Sequence, residues 1–203
     1  MSAKEVTATN GKLRLLSLYG DLPASVHARW VAGRIARLAG PHWQTTSEMW
    51  KIDSLQVSEP IRKMIVNDAA NADVIIIAAS SWAQSEPALI QWLKSVEACK
   101  TGRLYCSLAI GLLGDEETTA ADLSCVVTPL IHSLQQANKD FIWRGMGNGA
   151  MNDSNWFAGK VEELLVRKSW FEVFGKSLAR LTSSRGFIHS LASPALSAEA
   201  REN

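Results

Sequence analysis

The chain has 203 residues, enough for one domain of ordinary size with appendages and a substantial buried core. Its composition, 47% hydrophobic and 20% charged, is that of an ordinary globular protein. A formal charge of +1 supplies no global pull toward nucleic acid or anionic lipid, so neither is expected as a partner. The longest apolar runs, residues 74–79 and 104–113, are too short to span a bilayer. No charged leader precedes an apolar core at the N-terminus, and the expected location is the cytoplasm. Cys99, Cys106 and Cys125 are odd in number and lack CxxC spacing; they read as free thiols rather than metal ligands.

Residues 1–11 are polar and aperiodic and read as a disordered lead-in. Residues 12–19, with Leu13, Leu15, Leu16 and Leu18, predict a strand closed by Gly20. After a loop at 21–25 a helix runs to about Leu38. Trp30, Val31, Ile35 and Leu38 recur on it at helical spacing, and Gly40-Pro41 stops it. Residues 42–53 alternate polar and apolar, as an edge strand would. Ser58-Glu59-Pro60 caps a helix to about Ala70, and residues 74–79 are apolar throughout and β-branched to Ile77, the pattern of a central parallel strand.

A helix over 87–100, a strand over 103–113, a helix over 121–137 and a short strand at 141–143 follow. Residues 155–181 read as one amphipathic helix, or two with a break at Gly175. The chain thus divides into a lead-in (1–11), an α/β domain (12–166), an amphipathic C-terminal helix (167–181) and a disordered Ser/Ala-rich tail (182–203). Five strands alternating with helices predict a three-layer, doubly wound α/β fold. Its five-stranded parallel sheet has the order 2-1-3-4-5, with a C-terminal helical extension. Ligands of such sheets bind at the carboxyl ends of the strands, beside the reversal of strand order. The candidate rim is therefore 20–25, 80–86 and 114–119.

Residues 72–94 resemble the flavodoxin-like superfamily, most of all its NADPH-dependent FMN reductase branch. Ala72-Asp73 precedes the buried strand. Ser80-Ser81-Trp82-Ala83-Gln84-Ser85-Glu86 stands where that branch has Pro-Glu-Tyr-Asn-Gly, and Pro87, Leu89 and Leu93-Lys94 follow. The resemblance implies that Trp82 lies against an isoalloxazine ring and that the Ala83 and Gln84 amides meet its polar edge. In the first loop, Gly20 and Ser25 match the branch's phosphate-holding Gly-Ser-x-Arg-x-x-Ser. Asp21 replaces a serine and Pro23 the arginine. A carboxylate there repels a phosphate, and the proline removes an amide donor. The implied cofactor-binding set is Gly20, Asp21, Ser25, Ser80, Ser81, Trp82, Ala83 and Gln84, with FMN as the cofactor.

The topology is also that of bacterial receiver domains, but Ala79 or Ser80 stands where those need an acceptor aspartate. Ser80 and Ser81 have no histidine on the rim loops to activate them. His27 falls in the first turn of the first helix. Asp115, Glu116 and Glu117 with Asp21 form an acidic group that reads as a solvated helix start before it reads as a cation site. The stretch 167–181, around Trp170 and Phe174, is basic and amphipathic, suited to packing on its own domain or in a homodimer. The expected function is a non-catalytic protein-interaction or regulatory module on a degenerate ligand-binding scaffold, dimeric or meeting an unknown protein. The alternative is an FMN-binding NAD(P)H-dependent reductase.

Overall fold

The computed structural model describes residues 11–80, 86–98, 107–114, 128, 130, 132, 134, 139–146 and 156–170. Five strands form one parallel sheet: β1 (Gly11–Tyr19), β2 (Trp43–Lys51), β3 (Val74–Ala79), β4 (Ser107–Leu113) and β5 (Lys139–Gly145). Their order is β2-β1-β3-β4-β5, as expected. Every neighbouring pair is parallel.

Side chains alternate across the pleat, so each apolar strand feeds two cores. Leu13, Leu15, Val74, Ile76, Leu108, Ile110 and Leu112 point to one face. Leu16, Leu18, Ile75, Ile77, Ala109 and Leu113 point to the other. All six residues of β3 are buried, which is why an unbroken apolar run marks the centre of the sheet. At Gly111 a Cβ would come within 2.9 Å of the Phe141 ring, so glycine lets that ring lie across β4.

Helix α1 (Leu22–Ala39) covers the first face with Ala24, Ala28, Val31, Ala32, Ile35 and Ala39. It ends where Gly40 turns to φ 71 and its N–H reaches the Ala36 carbonyl. Residues 158–170 form a further helix, called α5 below, which lays Val161 and Leu164 on the same face beside Phe157. The second face is covered by α2 (Ser54–Val57), α3 (Glu59–Asn71) and α4 (Glu86–Ala98), with helical Leu130 and Leu134. Ser58 caps α3 through the Ile61 N–H, as the Ser-Glu-Pro signature predicts. The short α2 was not expected; it buries Leu55.

The amino end of the sheet holds a buried ion pair. Asp73, fully buried at the foot of β3, accepts Lys168 Nζ at 2.7 Å on Oδ1. Its Oδ2 accepts the Arg14 N–H at 2.8 Å, and its own N–H goes to the Arg14 carbonyl. The Asp73 carbonyl takes the Leu108 N–H at 3.0 Å. One residue therefore ties β1, β3, β4 and α5 together. Arg167 adds a second tie from α5, to Asp140 on β5 at 3.2 Å.

Candidate functional site

At the carboxyl end of the sheet, the first residues past β1 and β4 continue the ladder onto β3. The Gly20 N–H reaches the Ala78 carbonyl at 2.9 Å, and the Gly114 N–H reaches the Ala79 carbonyl at 2.9 Å. Gly114 has φ 76, a left-handed turn open to glycine, and it sends the chain off the sheet. Both loop starts are thereby pinned to the central strand.

Asp21 follows Gly20 in extended conformation and is the N-cap of α1. Its Oδ1 accepts the Ala24 N–H at 2.8 Å. The same carboxylate crosses to the β3 loop. The Ser80 N–H donates to Oδ2 at 3.0 Å, and the Ser80 hydroxyl donates to Oδ1 at 3.0 Å. Three donors, one from the first turn of α1 and two from Ser80 just past β3, thus converge on one carboxylate at a helix N-terminus, where the helix dipole favours negative charge.

Pro23 has no N–H. The Ser25 N–H bonds the Asp21 carbonyl at 3.0 Å, and the Ser25 hydroxyl donates to the Leu22 carbonyl at 2.7 Å. His27 sits one turn on, its Nδ1 3.0 Å from the Pro23 carbonyl oxygen, which can only accept.

Of the residues expected at the site, Gly20, Asp21, Ser25 and Ser80 are brought together. Ser81, Trp82, Ala83 and Gln84 lie outside the described residues, as do Asp115, Glu116 and Glu117. A flavin phosphate at the start of α1 would need the amides and hydroxyls that Asp21 and Leu22 already hold, and would place its charge beside a carboxylate. The residues present do not fit that group there. Among the described residues no cluster of three or more His, Cys, Asp or Glu is placed to hold a metal ion, and no helix is long and apolar enough to cross a membrane.

The Asp21–Ser80 link was not anticipated, although an acid and a hydroxyl each one or two residues past adjacent strands is a signal for it. The Lys168–Asp73 pair was also missed. Lys168 stands on the apolar stripe of Phe157, Val161 and Leu164, where a lone cation calls for a buried acid. A separate open cavity of about 300 Å³ lies beside the carboxyl-terminal end of α3, lined by Arg14, Thr46, Glu48, Asn67, Asp68 and Asn71 among others. Beside it, Trp50 Nε1 donates to Asp68 at 3.2 Å.

No protein-family model and no curated protein matches the chain. Among solved structures it is similar to a short-chain flavodoxin associated with a bacterial microcompartment, at 14% identity over 77% of this chain and 99% of that one, with a TM-score of 0.49. It is similar to the two-electron reduced flavodoxin of Megasphaera elsdenii, at 10% identity over 76% and 98%, TM-score 0.44. An oxidoreductase of Corynebacterium diphtheriae matches at 10% identity over 77% and 93%, TM-score 0.49. The strand order and parallel register define a flavodoxin-like α/β fold, and these similarities assign no residue a role.

Proposed function

We propose that the chain is a non-catalytic protein-interaction module on a flavodoxin-like scaffold whose phosphate subsite is closed by its own carboxylate. The observation that carries this reading is the Asp21 carboxylate, held by Ala24 and by both donors of Ser80. A fold that binds ligands at this edge has here turned the edge into an internal cross-link. Fold alone assigns no activity, so the site decides. The alternative, an FMN-dependent NAD(P)H reductase, needs a phosphate where Asp21 stands. The partner in this reading is another protein or a second copy of the chain.

The test is an absorbance spectrum of the purified protein followed by titration of its tryptophan fluorescence with FMN. The expected outcome is a colourless protein and no saturable quenching at FMN concentrations on the order of tens of micromolar. Yellow protein, or saturation in that range, establishes the reductase-type site and removes this proposal.

A further inference from the structure

Among the described residues, the outward face of α1 exposes apolar and cationic side chains together. Leu22 is 78% exposed and Val26, one turn on, is 53% exposed. Arg29, Gly33 and Arg37 continue the same stripe at spacings of three and four, opposite the buried alanines. Gly33 is exposed in mid-helix, and a Cβ added there would meet nothing within 4 Å. Glycine at such a place is less favourable to the helix than alanine and gains no packing within the chain.

The charge of this helix is one-sided. From Leu22 to Ala39 it carries Arg29, Arg34 and Arg37 and no Asp or Glu, within a chain whose formal charge is +1. None of the ion pairs among the described residues involves α1. Arg34, half-buried beside the stripe, has a buried Nε with no hydrogen-bond partner. The face therefore offers an exposed apolar pair at one end, a notch in the middle where a second backbone can approach, and unneutralised guanidinium groups along its length.

We infer that this face of α1 docks an acidic amphipathic helix of a partner protein. The partner helix crosses near Gly33, sets apolar side chains against Leu22 and Val26, and brings carboxylates to Arg29, Arg34 and Arg37. Guanidinium groups favour bidentate carboxylates, and their pairing sets orientation and specificity. A lipid surface fits less well, because membrane-surface helices bury a broad apolar face and that face of α1 already lies in the core. This inference rests on the interaction-module reading and names its partner.

The experiment pans a randomised helical-peptide library displayed on phage against the full-length chain. Recovered peptides are synthesised and measured by fluorescence anisotropy. Expected are peptides with an acidic stripe and apolar residues at one end. The double variant Arg29→Glu/Arg37→Glu weakens them by about tenfold or more. Gly33→Gln weakens them too, without lowering thermal stability. Circular dichroism confirms that both variants fold. Basic peptides, peptides that bind the double variant equally, or no recovered binder overturn the inference. Phosphatidylserine vesicles that bind through the same arginines overturn it in favour of a membrane. A wild-type dimer that the double variant dissociates overturns it in favour of a second copy. FMN binding by the wild type is a separate result: it removes the module reading and leaves the peptide measurement to stand or fall alone.

Discussion

Replacing Asp21 by alanine removes one carboxylate and three hydrogen bonds at once. The Ala24 bond is an N-cap, and losing such a cap costs about 1 kcal/mol. The two bonds from Ser80 have an ionised acceptor in a part-buried setting, worth roughly 1 kcal/mol each after solvent screening. The expected loss is therefore about 3 kcal/mol, read from urea unfolding with an unchanged slope. Ser80→Ala removes only the hydroxyl donor, since the backbone amide stays, and should cost about 1 kcal/mol. In the double variant the two effects should fall short of additivity by about the value of that shared bond. The freed amides should then donate to an outside anion, so inorganic phosphate should raise the midpoint of Asp21→Ala more than that of the wild type. A loss below about 0.5 kcal/mol for Asp21→Ala, or strict additivity with Ser80→Ala, would refute the view that this carboxylate holds the two loops together.

Lys168→Met leaves the Asp73 carboxylate without its ammonium in a fully buried site and should cost about 3–5 kcal/mol, whereas Asp73→Asn/Lys168→Met should recover much of that in the same unfolding assay. Gly111→Ala forces a Cβ to within 2.9 Å of the Phe141 ring and 3.1 Å of the Trp143 Cβ; the expected cost is about 1–3 kcal/mol, and near-UV circular dichroism should report the displaced rings. Glu163 is held below its ordinary value of 4.5, first by its hydrogen bond to Arg167 and then by that to Lys160. A lowered carboxylate pKa stabilises fully above the ordinary value and loses its effect as pH falls through the lowered one. The protection of α5 amides, taken relative to their intrinsic exchange rate, should therefore fall on acidification below 4.5, and Glu163→Gln should weaken that dependence.

The fold was legible because period and burial agree. Residues 74–79 could be read as the central strand from composition alone, since every side chain there is buried. The polar alternation around Glu48 marked β2 as an edge, and it pairs on one side only, with β1. Asp21 was legible as a departure from a phosphate loop, yet its bonds to Ser80 were not. They join residues 59 apart, and no local pattern encodes which hydroxyl a carboxylate will meet. Lys168 and Asp73 lie 95 apart and were hidden for the same reason. The α1 face escaped notice because an exposed leucine, a valine and a mid-helix glycine each look ordinary singly. Only their shared exposure on the folded helix makes them a surface.

On the proposed reading, Asp21 already occupies the place of a ligand's anion. An amide correlation spectrum of the isotopically labelled protein, recorded with and without FMN, shows whether it does. The Gly20, Ala24, Ser25 and Ser80 amide signals should stay in place as FMN is added, and Asp21→Asn should move those of Ala24 and Ser80. Saturable shifts of the Ala24 and Ser80 signals with FMN in the wild type would contradict that reading.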